Sequence, residues 1–129
     1  MVLGVSREGR SPWHPGTVVA APESEFFTVP DLAERFGVPA GRVRRLLDER
    51  ALVAVRVDGV LRVPADFVEG DGPLPDLRGT ILVLGDNGFN DAEIADWLLS
   101  EEESLGARPV DALRAGRKAE VRRVAQALA

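Results

Sequence analysis

The first predicted element is an amphipathic helix at about residues 28–36. The apolar residues of TVPDLAERF recur at intervals of three and four: Val29, Leu32, Ala33 and Phe36. This spacing places apolar side chains on one face of a helix. Thr28 is a good N-cap, Asp31 favours the helix N-terminus, and Gly37 can adopt the left-handed conformation that ends helices. We therefore expect ordered structure to begin near Phe26.

A second short helix is predicted at about residues 39–49, within VPAGRVRRLLDER. Pro39 suits a first helical turn. The inward stripe consists of Val43, Leu46 and Leu47, while the outward residues are Arg42, Arg45 and Glu49. Arg44 can pair with Asp48 four residues on. Two amphipathic helices joined by a glycine turn are typical of a helix-turn-helix.

The following stretch, LVAVRVDGVLRVP, predicts a β-hairpin because β-branched residues surround an Asp-Gly pair at 58–59. A two-residue loop would pair Val57 with Val60 and put Arg56 and Arg62 on opposite faces. A three-residue loop would pair Arg56 with Val60 and put both arginines on one face, opposite an apolar face. Burial of one apolar face fixes strand register, so we favour the three-residue loop.

The second half of the chain is predicted to be helical. A loop rich in glycine, proline and acidic residues spans residues 69–75, and the helical segments that follow are LPDLRGTILVLGDNG, NDAEIADWLLS, PVDALRAG and RKAEVRRVAQALA. The run from Ile81 to Leu84 also fits a buried strand, but Asn87-Gly88 favours a helix end. Asn90 and Glu93 form a variant of the capping box.

Composition and charge fit a globular protein with one basic segment. The chain has 129 residues, 45% apolar and 29% charged, and a net charge of −5. Residues 35–62 nevertheless carry seven arginines against three acidic residues, a local charge of +4, whereas residues 71–129 carry −4. Only the basic segment is therefore suited to a polyanion.

Catalytic chemistry is not indicated. The chain has no cysteine, its one histidine is His14 in a proline-flanked stretch, and no P-loop lysine motif occurs. The acidic run at residues 101–103 is typical of a solvated loop. We expect no enzyme activity, no cofactor and no metal. Without a secretory signal or an apolar run of about 20 residues, we expect a cytoplasmic protein with no membrane contact.

The basic segment instead suggests DNA binding. The second helix of a helix-turn-helix lies in the major groove, where Arg42 and Arg45 can contact guanine edges. Arg44, Arg56 and Arg62 are better suited to phosphates or the minor groove. The alternative is that Arg44 pairs with Asp48, that Arg45 pairs with Glu49, and that the hairpin arginines only keep a sheet edge soluble.

Residues 27–68 resemble the winged helix-turn-helix of the MerR-type and phage-excisionase group. Members show a "T/S-x-x-[EQD]-[LVA]-A" first helix, a "GV" turn, an "x-V-x-[RK]-[LW]" second helix and a wing that ends in "R-[VI]-P". The matching residues are Thr28, Asp31, Leu32, Ala33, Gly37, Val38, Val43, Arg45, Leu46, Arg62, Val63 and Pro64. The resemblance implies a DNA-binding regulator whose wing contacts DNA. The long dimerisation helix of full MerR proteins is missing.

The C-terminal half is similar to a small actinobacterial family of DNA-binding regulators and to the toxin-binding domain of certain antitoxins. The residues that carry this similarity are Trp97, Leu98, Leu105, Gly106, Pro109, Asp111, Ala112, Leu113 and Gly116. Some members are substrates of Ser/Thr kinases through an N-terminal tail. The resemblance therefore implies a kinase partner, with Ser6, Ser11 and Thr17 as the candidate phosphorylation sites.

We thus predict a mainly α protein: a flexible N-terminal tail (1–24), a winged helix-turn-helix with a small β-hairpin wing (25–70) and a helical C-terminal subdomain (71–129). The recognition helix is about 39–49 and the wing about 52–63. The predicted function is sequence-selective binding of double-stranded DNA in transcriptional regulation, by a monomer or a homodimer. The alternative is an antitoxin-like or scaffold module that binds a protein partner through the C-terminal helices, although these helices first of all complete the core.

Overall fold

The computed structural model describes residues 26–128, which form a mainly helical fold with a small antiparallel sheet. The elements are β1 (Phe26–Thr28), α1 (Val29–Phe36), α2 (Ala40–Asp48), β2 (Val55–Val57), β3 (Val60–Pro64), a 3-10 turn (Ala65–Phe67), β4 (Val68–Glu69), β5 (Gly72–Pro73), α3 (Leu77–Asp86), α4 (Asp91–Leu99), α5 (Pro109–Arg114) and α6 (Lys118–Gln126). This confirms the predicted winged helix-turn-helix with a helical C-terminal part. The predicted tail (1–24), with Ser6, Ser11 and Thr17, lies outside the described residues.

Local capping interactions set the ends of the helices where the sequence predicts them. The backbone N–H of Asp31 donates to Thr28 Oγ1 at 3.2 Å, and the N–H of Thr28 donates to Asp31 Oδ2 at 3.0 Å. Asn90 and Glu93 make the same reciprocal pair at 2.8 and 2.9 Å. Gly37 ends α1 with φ +69°. These predictions are confirmed because each depends on residues only three or four positions apart.

The sheet contains a strand that the sequence did not predict. β1 pairs antiparallel with β3, so that Thr28 lies opposite Arg62, and the strand order is β1-β3-β2. Thr28 is therefore both the last residue of a strand and the cap of α1. This strand joins the wing directly to the first helix. Its Phe-Phe-Thr sequence suits a strand, but three residues carry no readable periodicity.

The hairpin register is the one we did not favour. Val57 pairs with Val60 and Val55 pairs with Arg62, so residues 58–59 form a two-residue loop. The preference for a three-residue loop was wrong because it assumed that only one face of the hairpin is buried. Val55 and Val63 project from opposite faces, yet they are only 8% and 1% exposed. Burial therefore does not discriminate between the two registers.

A single apolar core joins the winged segment to the C-terminal helices. Its most deeply buried members come from both parts: Leu32, Val43, Leu52, Val53, Val63, Phe67, Leu77, Ile81, Leu84, Ile94, Leu98 and Val110. Two arginines also reach back to Asp66: Arg108, which precedes α5, donates to its carboxylate at 3.3 Å, and Arg114 of α5 donates to its backbone oxygen at 2.9 Å. We expect the two parts to unfold together, and the boundary near residue 70 stays a prediction.

Phe67 provides a test of this shared core, because it is 0% exposed and lies close in sequence to the boundary between the two parts. We expect Phe67→Ala to lower the free energy of unfolding by about 3–5 kcal/mol through lost burial and a residual cavity. Urea unfolding of the parent protein and of Phe67→Ala should each give one transition. Far-UV circular dichroism and Trp97 fluorescence follow it, the latter in a Trp13→Phe background.

Leu82→Ala is the control, since Leu82 is 37% exposed and its truncation should cost less than about 1 kcal/mol. Two separate transitions in the parent protein would contradict a shared core.

Candidate nucleic-acid interface

The outer surface of α2 is basic because its apolar residues face the core. Val43 is 0% exposed, whereas Arg42, Arg44 and Arg45 are all exposed. Successive helical residues are rotated by about 100°. Arg42 and Arg45 therefore lie next to each other on the face opposite the core. Arg44 projects from the flank that also carries Asp48. The structure brings two of the three arginines onto one face.

These three arginines have no protein partner in the part of the chain that the structure describes. Neither a hydrogen bond nor an ion pair joins any of their guanidinium groups to residues 26–128. In particular, the pairs Arg44–Asp48 and Arg45–Glu49 of the structural alternative do not form. Their charges remain available to a ligand.

Most other arginines among the described residues donate hydrogen bonds within the protein. They donate to backbone oxygens, to carboxylates or to both: Arg35 to Gly70, Arg50 to Asp91, Arg56 to Gly59, Arg78 to Glu49, Arg108 to Asp66 and Asp111, Arg114 to Asp66, and Arg117 to Leu105 and Glu120. The hydrogen bond to Asp111 raises the pKa of Arg108, although burial acts in the opposite direction. The α2 arginines thus differ from these by their lack of a structural partner.

The two ends of α2 are held differently. At its C-terminal end, Arg78 Nε of α3 donates to the Glu49 backbone oxygen at 2.8 Å, and Arg50 Nη2 donates to Asp91 Oδ1 at 3.0 Å. At its N-terminal end, Pro39 provides no side-chain cap, and Gly41 has open space where a Cβ would lie. The C-terminal helices therefore anchor one end of α2 and leave the other end accessible.

The two arginines of the wing do not share a face, contrary to our expectation. Arg56 is exposed on the edge strand β2, and its Nη1 donates to the Gly59 backbone oxygen at 3.2 Å. Arg62 lies on the central strand β3, half-buried, and its Nε is enclosed without a hydrogen-bond partner among the described residues. In the two-residue register, Arg56 lies opposite Leu61, and Arg62 is the next residue of β3. Because successive side chains of a strand point to opposite faces, the two arginines project from opposite faces of the hairpin. Of the two wing arginines, Arg56 is thus the exposed one, and Arg62 is half-buried.

Outside this basic surface, the acidic run has a structural role. Glu102 accepts hydrogen bonds from Trp97 Nε1 at 3.1 Å and from the Ser104 backbone N–H at 3.3 Å. Across residues 26–128, no group of three potential ligand side chains is arranged to hold a metal ion. In the same range, no helix has the length and apolar character that crossing a membrane would require.

Two family models match this chain on either side of residue 70. The model described as "DNA-binding protein Rv2175c, wHTH domain" matches residues 16–68. The model described as "Rv2175c C-terminal domain of unknown function" matches residues 74–129. The chain is thus similar to a two-part family over most of its length, and the first part includes α1, α2 and the wing.

A curated relative and a solved structure agree with these matches. The chain is 38% identical over 127 residues to the DNA-binding protein Rv2175c of Mycobacterium tuberculosis strain H37Rv, which covers 88% of this chain and 87% of the relative. The NMR structure of Rv2175c superposes with a TM-score of 0.75 at 36% identity, covering 88% of this chain and 86% of that one.

The absence of structural partners for the α2 arginines predicts how their removal affects stability. We expect the double variant Arg42→Ala/Arg45→Ala to change the free energy of unfolding by less than about 0.5 kcal/mol, as is usual for exposed positions. Arg108→Ala, which removes charged hydrogen bonds at a half-buried site, should cost about 1–2 kcal/mol. Chemical denaturation measures both. A large loss in the double variant would mean that these side chains stabilise the fold.

Proposed function

Because this chain belongs to the Rv2175c family of DNA-binding proteins, we propose that it binds double-stranded DNA and acts as a transcriptional regulator. The observation that carries this proposal is the pair of exposed arginines, Arg42 and Arg45, on one face of α2. In a protein of net charge −5, an unneutralised basic face is best explained by an anionic ligand.

In the proposed complex, α2 lies in the major groove with its N-terminal half towards the bases, as in other helix-turn-helix proteins. Arg42 and Arg45 contact guanine O6 and N7, for which the planar guanidinium is suited. The exposed first turn of α2, with Gly41, allows the helix backbone to approach the DNA. The anchoring of the opposite end by Arg50 and Arg78 holds the helix in position.

Arg44 and Arg56 act on the phosphate backbone in this proposal. They project from the flank of α2 and from the edge of the wing, so neither is aligned with the base-reading face. Phosphate contacts position a protein on the duplex and provide affinity that does not depend on sequence. Arg62 stays a predicted DNA contact, and its half-buried position favours it less than Arg56.

The C-terminal helices support the DNA-binding surface in this proposal. Leu98, Val110 and Val121 are 0% exposed, which is the expected burial of residues that complete a core. A protein partner for this half, a homodimer, and phosphorylation of Ser6, Ser11 or Thr17 stay predictions. The MerR-like and antitoxin-like relationships likewise stay predictions.

The test of the base-reading pair is a DNA-binding measurement on Arg42→Ala/Arg45→Ala. Each bidentate guanine contact is worth about 1–3 kcal/mol, so the double variant should bind the protein's own upstream DNA at least about 30-fold more weakly. Fluorescence anisotropy with a labelled duplex at low salt gives both dissociation constants.

The matched control is Arg122→Ala/Arg123→Ala, which removes the same charge from exposed residues of α6. We expect it to weaken binding by less than about threefold, since distant charges are screened. If the two double variants lose the same affinity, only the net charge matters and the assignment of α2 is wrong. If the parent protein binds no duplex at all, the proposed function is wrong.

Salt dependence tests the phosphate contacts separately. If all five predicted arginines neutralise phosphates, the slope of log Kobs against log salt reaches roughly −4 to −5, whereas Arg44 and Arg56 alone give about −2. Arg44→Ala should make this slope shallower by about 1, with a similar loss of affinity for all sequences. Titrations at several salt concentrations on two unrelated duplexes give the slopes. An unchanged slope would show that Arg44 does not contact a phosphate.

A further inference from the structure

The tip of the wing carries a negative charge without a compensating partner. Asp58 and Gly59 are the two residues of the hairpin loop, with φ of +55° and +81°. Asp58 is exposed and forms no ion pair with any of residues 26–128. The nearby Arg56 guanidinium donates instead to the Gly59 backbone oxygen. The tip therefore presents a carboxylate to whatever the wing approaches.

The fold does not require this carboxylate. Two consecutive loop residues with positive φ are characteristic of a type I′ turn, which accepts asparagine or glycine at the first position as readily as aspartate. The Asp58 side chain makes no hydrogen bond with a described residue that would favour it over asparagine. The backbone conformation of the loop therefore does not require a negative charge at position 58.

The shape of the tip alone would suit the minor groove. Val60 follows the loop and is 43% exposed, and apolar side chains on narrow β-structures are inserted into minor grooves by several architectural proteins. The minor groove of A-tracts is narrow and has an enhanced negative potential that attracts cationic side chains. A carboxylate at the tip opposes entry there, because it would be surrounded by phosphates of both strands.

We propose that Asp58 excludes the wing tip from the minor groove and restricts the wing to one phosphate strand, where Arg56 makes its contact. This inference rests on the proposed DNA binding and extends it. Asp58 then determines specificity by preventing an attraction to A·T-rich DNA, and sequence reading is left to Arg42 and Arg45 on α2.

The test uses the full chain and two labelled 20-base-pair duplexes, one with a central A-tract and one with G·C base pairs in its place. Asp58→Asn keeps the turn and removes the charge. We expect Asp58→Asn to bind the A-tract duplex about fivefold more tightly than the parent protein does, the size of a close charge–charge interaction in water. Affinity for the G·C duplex should rise less than about twofold. Asp58→Gly, which also suits the turn, should reproduce the difference.

Asp96→Asn is the matched control, because Asp96 is an exposed aspartate of α4 and its loss changes the net charge equally. We expect it to leave the ratio of the two affinities unchanged. Thermal unfolding should show that Asp58→Asn is at least as stable as the parent protein.

An equal gain on both duplexes would show that Asp58 acts only through net charge, and no gain would show that the tip lies away from DNA. Either result overturns the inference while leaving the proposed function intact, provided that Arg42→Ala/Arg45→Ala weakens binding. Failure of the parent protein to bind either duplex would overturn both.

Discussion

The pairing of β1 with β3 is the interaction on which the arrangement of the candidate interface depends. Thr28 is paired with Arg62 in the sheet and at the same time caps α1. The wing and the first helix are therefore joined without an intervening loop, and α1 packs against α2. Because hydrogen-bonded strands and packed helices have little freedom of relative rotation, this pairing sets the position of the wing relative to the basic face of α2.

The second constraint is that some arginines donate to oxygen acceptors within the protein, whereas others have no such acceptor and leave their charge on the surface. Arg50, Arg78 and Arg108 are committed to oxygen acceptors that connect the two halves of the chain. Arg42 and Arg45 have no such acceptor among residues 26–128. The same residue type thus stabilises the fold at some positions and leaves a charged surface at others. The difference arises from the neighbours that the fold provides, since a guanidinium is always charged and always a donor.

The C-terminal helices matter for the candidate interface although they carry an acidic charge. They supply half of the core and hold the end of α2, which gives a small winged module the buried area it needs for stability. Their negative charge also confines attraction for a polyanion to the N-terminal part. The C-terminal helices thus stabilise the winged part and also limit the attraction for a polyanion to that part.

The sequence by itself determined the features that depend on near neighbours. The capping pairs Thr28–Asp31 and Asn90–Glu93, the turn at Gly37 and the helices were predictable because their interactions span three or four residues. Only the tertiary structure decided the features that depend on distant contacts: the strand at β1, the hairpin register that separates Arg56 from Arg62, and which arginines have partners. Strand pairing and ion pairing between residues far apart depend on the packed core, which residue spacing does not reveal.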